Sequence, residues 1–481
     1  MPTPNPQSPT PILLLILDGL ADRPQAILGG KTPLEAAHTP NLDRLAELGS
    51  NGLLVPLAPG IPLESETSHF LLFGYPLEKF PGRAAFEAIG RGFDIPTGAV
   101  VLLASFATTS IVDGAVRREA ILWEEKRPQD EEDCRELSTA IAEYETRGIC
   151  FSLQSCGCCE AILTLSGNPS RCVSDVDPFY NGAMVARALP LEEDPNQGNA
   201  ERTAAALNEY LLWVYQRLQE HPINRTRQAQ GLPPINFLLT KWAAVRPEVP
   251  PFHEQNGLRA ASVEHYPLYI GIARVCGITP VTVPQHASIA ADFHEKLLAA
   301  ENLFRQGYEF VHVHAKGPDV AAHQKDPLAK RDALEAIDSV LGPLVRHLEN
   351  QTDLLVVVTG DHATPSNGPL LHSGEAVPLL IAGGPNVLVD DVKEFHERAA
   401  IRGGLGRMYG TDLMPILLNL TERVRLYGVR HQRQARPYWQ WQPEPFYLLP
   451  PLGFAEPVLS LSKPVLSVAE GGSAQPTDLR K

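Results

Sequence analysis

The stretch "DLLVVVTGDHATPSNGPLLHSGEAVPLLIAGG" (353–384) holds two apolar runs, 353–360 and 377–384, on either side of a polar segment containing Gly and Pro. Each run is apolar without alternation over a strand's length, the pattern of a β-strand covered on both faces, as in a parallel sheet. The polar segment opens on Asp361 and His362 and carries His372 on its way back to the second run. A carboxylate and an imidazole thus leave the sheet at the end of a strand, where open parallel sheets collect their functional groups.

Two further runs repeat the pattern. "PILLLIL" (11–17) ends at Asp18, and "YEFVHVH" (308–314) is followed by "GPDVAAH" (317–323). Asp319 and His323 there are four apart, so one helical turn aims both the same way. His312 and His314 lie inside the strand run and read as core or supporting groups. Helical segments alternate with these runs: "TPNLDRLAELG" (39–49), with Thr39 as N-cap and Pro40 in the first turn, and "DPLAKRDALEAIDSVLGPLVRHLEN" (326–350). Strands separated by helices of this length imply right-handed crossovers in a mostly parallel sheet.

From 98 the texture changes. "GAVVLLASFATTSIVDG" (98–114) and "GICFSLQSCGCCEAILTLSG" (148–167) are strand-like, "EEKRPQDEEDCRELSTAIAEYETRG" (124–148) is acidic and helical, and "AERTAAALNEYLLWVYQRLQEH" (200–221) is a long amphipathic helix. The expected fold class is α/β: a mostly parallel sheet flanked by helices, built from 11–97 and 268–425, with a smaller α+β domain inserted at 98–267. Residues 1–10 read as a disordered N-terminus. Residues 426–481 read as a Pro/aromatic-rich extension ending in a flexible tail.

A chain of 481 residues exceeds what one core needs. Its 41 basic and 56 acidic residues give a formal charge of −15, which argues against a sequence-independent nucleic-acid binder or an anionic-membrane binder and leaves a small-molecule partner. "PILLLIL" is too short to span a bilayer and lacks a basic flank and a cleavage-like motif, so a cytoplasmic location is expected. Four of the seven cysteines fall in "CFSLQSCGCC" (150–159). The C-x-C-C spacing is not the usual zinc pair, so Cys150, Cys156, Cys158 and Cys159 read as reduced, half-buried strand residues rather than a zinc site.

Three aspartates (Asp18, Asp319, Asp361) and three histidines (His323, His362, His372) at three strand ends are hard and borderline donors that suit manganese, zinc or magnesium. A single strand-end aspartate is often only a helix cap. The joint placement of six such residues is what points to metal, and six suffice for two ions when a bridging group is added. Ser65, in "IPLESETSHFLLFGYP" (61–76), supplies that group. A serine hydroxyl is a weak nucleophile until a base or a metal activates it. His69, one turn on, is either that base or a packing group. Bound cations account better for the flanking Glu64 and Glu66, which would otherwise oppose an alkoxide.

These residues resemble a known family. "LDGLADRP", "GKTPLEAAHTPNLDRLAELGSNG", "PLESETSHFLLFGYP" and "GRAAFEAIGRG" are similar to the N-terminal part of archaeal-type cofactor-independent phosphoglycerate mutases. "PDVAAHQKDPLAKRDALEAID" and "VVTGDHATPSNGPLLHSGEAVPLLI" are similar to their C-terminal metal-binding part. The resemblance runs from about 12 to 420 and places the chain in the alkaline phosphatase superfamily. It implies an alkaline phosphatase-like core and a phosphorylated Ser65. It implies one divalent ion held by Asp319, His323 and His372, and a second held by Asp18, Asp361, His362 and the Ser65 oxygen. The implied activity interconverts 2- and 3-phosphoglycerate without bisphosphoglycerate, as a step of glycolysis.

The departures fall in the middle region. In "SDVDPFYNG" Asp175 and Asp177 match the family pattern, but Phe179 stands where a histidine is usual. In "LLTKWAAV" Lys241 and Trp242 replace an arginine–glycine pair, and Ile270 stands where a lysine is usual. With Arg83, the residues Asp175, Asp177 and Lys241 form the expected substrate-binding set. Losing a histidine, an arginine and a lysine from a pocket for a doubly anionic ligand leaves alternatives open: a phosphohydrolase, or a phosphomutase for another small phosphorylated metabolite. A catalytically silent binding protein is disfavoured, because no metal ligand is missing.

Overall fold

The computed structural model describes residues 10–122, 127–192 and 196–424. In chain order its strands are β1 (Ile12–Leu17), β2 (Gly49–Val55), β3 (Val100–Val112), β4 (Ala115–Ile121), β5 (Glu143–Thr146), β6 (Ile149–Gly157) and β7 (Glu160–Ser166). They continue with β8 (Phe237–Val245), β9 (Ala260–Val263), β10 (Thr279–Val281), β11 (Phe310–Ala315), β12 (Leu355–Thr359), β13 (Val377–Gly383) and β14 (Gly406–Tyr409). They form an eight-stranded sheet of order β10-β9-β11-β1-β12-β13-β2-β14 and a six-stranded sheet built from β3 to β8.

The larger sheet is mostly parallel: five of its seven neighbour pairings are parallel, and the two antiparallel ones both involve β13. β13 runs back because the 360–376 segment joining it to β12 contains no crossover helix, and a parallel return needs one. The unbroken apolar runs follow from coverage on both faces. Leu13, Leu15 and Leu17 of β1 pack with Leu42 and Leu45 of the helix Pro40–Glu47 and with Leu334 and Ile337 of the helix Pro327–Asp338. Ile12, Leu14 and Ile16 face the other way, onto Phe70 and Leu72 of the helix Ser65–Leu72 and Ile272 of the helix Pro267–Val275. Period-two alternation between two apolar layers leaves no polar position in the strand.

The smaller sheet is antiparallel throughout. The helices Pro128–Ala140 and Gln197–Gln219 cover one face, through Leu137 from the first and Leu207, Tyr210 and Val214 from the second. The acidic stretch expected to be helical throughout splits: its end forms β5, because Tyr144 pairs across to Phe151 of β6. β9 lies inside the expected insert yet pairs with β11 in the larger sheet.

The two sheets meet through the helix Arg83–Gly90. Its Ala84, Ala85 and Ala88 pack on Val101, Leu103 and Ala244 of the smaller sheet, while Phe86 enters the larger sheet's core. Gly271 lets the helix Pro267–Val275 touch this helix backbone to backbone, since a Cβ there would lie 1.9 Å from the Phe86 carbonyl oxygen.

Candidate active site

β1 lies between β11 and β12, in register at Leu17 with Ala315 and at Ile16 with Thr359. Three parallel strands therefore end side by side, and the residues that follow them converge. Asp18 comes directly after β1, Asp361 and His362 just after β12, and Asp319 and His323 on the helix Gly317–His323 that follows β11. Donor atoms of Asp18, Asp361 and His362 lie within 4.8 Å of one another, as do those of Asp319, His362 and His372. His323 Nε2 is 3.3 Å from Asp319 Oδ2 and 3.3 Å from His372 Nε2. All six residues singled out in the sequence are thus brought together, with His362 between the two groups.

Ser65 opens the helix Ser65–Leu72, is 5% exposed, and places Oγ 3.0 Å from His362 Nε2. His69 does not face that hydroxyl. Its Nδ1 donates to the Ser65 carbonyl oxygen at 2.8 Å, and its ring packs among His312, His314 and Tyr269, so it secures the first turn of the helix.

Thr364 sets the tautomer of His362. Thr364 Oγ1 donates its one proton to Asp319 Oδ1 at 2.8 Å, so it accepts from His362 Nδ1 at 3.0 Å. His362 Nε2 then presents a lone pair to Ser65.

The donor set fits divalent cations. Asp18 Oδ1 and Asp361 Oδ2 are buried with no hydrogen-bond partner, an arrangement that is costly unless a cation meets those oxygens. Burial and the charge on Asp18 push Asp361 up to about 8. Asp18 goes the other way: burial raises it, but Lys316 and His314 outweigh burial and hold it well below the usual carboxylate range. Two facing carboxylates cannot both ionise readily without a positive charge between them.

Sequence reading missed three residues that shape the site. Asp18 Oδ2 accepts from Tyr269 Oη at 2.7 Å, His314 Nε2 at 2.8 Å and Lys316 Nζ at 2.7 Å, and Lys316 also lies 2.9 Å from Asp319 Oδ2. Lys316 stands one residue past β11, a position that its place at a strand end could have flagged. Tyr269 and Thr364 carried no local signal.

The expected substrate-binding set divides. Arg83 reaches Glu66 Oε2 at 3.1 Å and Glu64 Oε2 at 3.5 Å, so it stands beside both neighbours of Ser65. Its guanidinium lies 3.9 Å over the Trp242 ring. Burial, only partly offset by Arg83, pushes Glu66 up to about 7. Lys241 donates to Asp177 Oδ2 at 2.9 Å, Arg118 donates to Asp177 Oδ1 at 2.8 Å, and Asp175 accepts the Trp242 backbone N–H at 2.7 Å.

Phe179 and Trp242 both adopt left-handed backbone, with φ of 64° and 62°, and their ring centroids are 6.2 Å apart. Bulky residues rarely sit there, and such strain gathers at functional sites. The amide of Phe179 is held by Asp177 Oδ1 at 3.0 Å. Ile270 lies on the helix Pro267–Val275.

Cys150 is the second residue of β6, Cys156 lies near its far end and Cys158 and Cys159 beyond it, so the strand keeps Cys150 apart from the others. Among the described residues no cysteine joins a metal-type cluster. No helix among them is long and apolar enough to cross a membrane.

The sequence pattern described as the Metalloenzyme superfamily matches residues 10–420. The chain is 40% identical over 441 residues to the 2,3-bisphosphoglycerate-independent phosphoglycerate mutase 2 of Methanocaldococcus jannaschii, covering 89% of this chain and 96% of that one. It is 37% identical over 423 residues to the 2,3-bisphosphoglycerate-independent phosphoglycerate mutase of Pyrococcus horikoshii, covering 86% and 98%. Among solved structures, a Pyrococcus horikoshii protein superposes with a TM-score of 0.69 at 33% identity, covering 87% of this chain and 99% of that one. The cofactor-independent phosphoglycerate mutase of Thermoplasma acidophilum superposes with a TM-score of 0.58 at 31% identity, covering 86% and 100%.

Proposed function

The chain belongs to the Metalloenzyme superfamily and, within it, to the 2,3-bisphosphoglycerate-independent phosphoglycerate mutases, and from that premise we propose that it interconverts 2- and 3-phosphoglycerate through a phosphorylated Ser65. The observation that carries this reading is the Ser65 hydroxyl, buried 3.0 Å from the ring of His362, the residue common to both groups of metal-type donors.

Asp18, Asp361 and His362, with the Ser65 oxygen, would hold one divalent cation, and Asp319, His323 and His372 a second, with manganese, zinc and magnesium all suited to these donors. Such cations, when bound, supply Lewis-acid charge to the serine oxygen and to the transferring phosphoryl group. The chain's own residues do the rest. Ser65 Oγ attacks phosphorus as the bond to the first glycerate oxygen breaks, and the proton lost from Ser65 ends on that oxygen. The glycerate stays in place, and its neighbouring hydroxyl takes the phosphoryl group back, freeing Ser65. His362 keeps a lone pair, rather than a competing proton, toward the nucleophile.

Arg83 is the cation offered to the substrate's carboxylate, since it stands beside the nucleophile with a solvent-reachable edge. Asp175, Asp177 and Lys241 act behind it as a locked wall that fixes Trp242 and Phe179. Those two rings, with Arg83 beneath the smaller sheet, keep water from the phosphoserine while glycerate turns over.

The test supplies purified protein and Mn2+ with 3-phosphoglycerate and follows 2-phosphoglycerate and free phosphate together. Isomer without phosphate is expected. Phosphate without isomer would overturn the mutase reading in favour of hydrolysis.

A further inference from the structure

Behind the candidate metal ligands lies a line of buried polar groups that crosses three neighbouring strands. Glu264 follows β9, His312 and His314 lie on β11, and Asp18 follows β1. β9 pairs with β11 so that Ser262 faces His312, and β11 pairs with β1 so that His314 faces Ile16. Glu264 is 0% exposed. Its Oε1 accepts from Ser262 Oγ at 3.2 Å and lies 3.2 Å from His312 Nδ1, and its Oε2 lies 3.4 Å from His314 Nδ1. His314 Nε2 reaches Asp18 Oδ2 at 2.8 Å. One imidazole therefore lies between two buried carboxylates: Nε2 hydrogen-bonds Asp18, while Nδ1 faces Glu264 Oε2 at ion-pair distance without a hydrogen bond.

We propose that Glu264, acting through His314, is a positioning residue for the metal centre: it fixes the His314 ring so that Asp18 is anchored by Oδ2 and turns Oδ1 to the metal. Asp18 Oδ2 already takes three donors, from Tyr269, His314 and Lys316, whereas Oδ1 takes none and stands 3.6 Å from His362 Nε2. A carboxylate saturated on one oxygen and bare on the other has a single way to bind a cation. Of the three donors, Lys316 has a flexible stem and Tyr269 can rotate its hydroxyl. Tyr269 and His314 are both rigid rings, but only His314 carries a second ring nitrogen, and it faces Glu264 Oε2 at 3.4 Å. A carboxylate buried this deeply is costly to keep, and the groups that face it are two imidazoles and a serine hydroxyl. Outer partners of this kind tune a metal site by about 10- to 100-fold in affinity.

The inference rests on Asp18 being a metal ligand, as in the proposed function, but not on which phosphate ester is turned over. It is tested by calorimetric titration of Mn2+ into the full chain, stripped of metal, as wild type, Glu264→Gln, His314→Gln and the double variant. Each single variant is expected to weaken Mn2+ binding by about 10- to 100-fold, with the double variant no weaker than the worse single one. The KM for 3-phosphoglycerate at saturating Mn2+ should be unchanged, because neither residue reaches the substrate.

Unchanged Mn2+ affinity in Glu264→Gln, or losses that multiply in the double variant, would overturn the inference. If Glu264→Gln does not fold, Ser262→Ala removes one donor to Glu264 without stranding a charge. A loss of roughly threefold in Mn2+ affinity is expected there, and no loss refutes the role. A wild-type chain that binds Mn2+ but turns over no phosphoglycerate would count against the mutase reading alone and leave the Glu264 test intact.

Discussion

Thr364→Val isolates one link in the site. Valine matches threonine in shape, so packing is retained and only the hydroxyl is lost. That hydroxyl is fully buried, donates to Asp319 Oδ1 at 2.8 Å and accepts from His362 Nδ1 at 3.0 Å. Its removal leaves a buried N–H and a buried carboxylate oxygen, each short of a partner. One stranded buried group costs about 1–3 kcal/mol. His362 can escape its share by moving its proton to Nε2, but that spends the lone pair facing Ser65, the one that would meet a bound cation.

If the protein keeps the tautomer, the cost falls on stability. If it changes tautomer, the cost falls on metal binding, where 1–3 kcal/mol is about 5- to 150-fold in affinity. Calorimetric Mn2+ titration together with thermal unfolding of the metal-free chain separates the two. The sum of the two losses, in free energy, is expected to reach at least about 1 kcal/mol. A Thr364→Val protein with wild-type Mn2+ affinity and a wild-type melting temperature would refute the assignment of the His362 tautomer.

Other expectations are simpler. Ser65→Ala should abolish labelled phosphoenzyme while metal content, measured by elemental analysis, stays near normal, and label that persists would remove Ser65 as nucleophile. Phe179→Asn replaces a ring that is 44% exposed with a residue that tolerates left-handed backbone. Relief of about 1 kcal/mol of strain should hold or raise the melting temperature while KM for phosphoglycerate rises severalfold, and an unchanged KM would take Phe179 out of the substrate pocket.

The Asp177 carboxyl, raised by burial but lowered further by Lys241 and Arg118, lies below its ordinary value. Its ionised form therefore stabilises the fold above the unfolded carboxylate range, and that contribution is lost as pH falls through the folded value. The melting-temperature gap between wild type and Asp177→Asn should accordingly be widest near neutral pH and close below about pH 4. A gap that stays constant down to pH 3 would contradict the ion pair's role.

Much of this site was legible along the chain because its candidate ligands follow directly on strands that could be recognised. "PILLLIL", "YEFVHVH" and "DLLVVVTG" are apolar at every position that two covering layers demand, and Asp18, Asp319, Asp361 and His362 sit just beyond them. The reading failed where pairing, not composition, makes the strand. β5 closes onto β6 from the end of an acidic, helix-like stretch, and β9, four residues long, joins the larger sheet only because β11 is there to receive it.

What the sequence by itself determined is the alternation of buried strands and helices and the donor types at the strand ends, since both depend on local periodicity and side-chain chemistry. Only the tertiary structure decided which groups meet. Asp18 is bound by Tyr269 and His314, some 250 to 300 positions along the chain, and Glu264 gains its place through β9. Sheet register brings such residues within hydrogen-bond reach, and no pattern along the chain encodes that distance. The locking of Lys241 to Asp177 and the left-handed turns of Phe179 and Trp242 have the same origin: they are settled by packing and pairing, after the elements have formed.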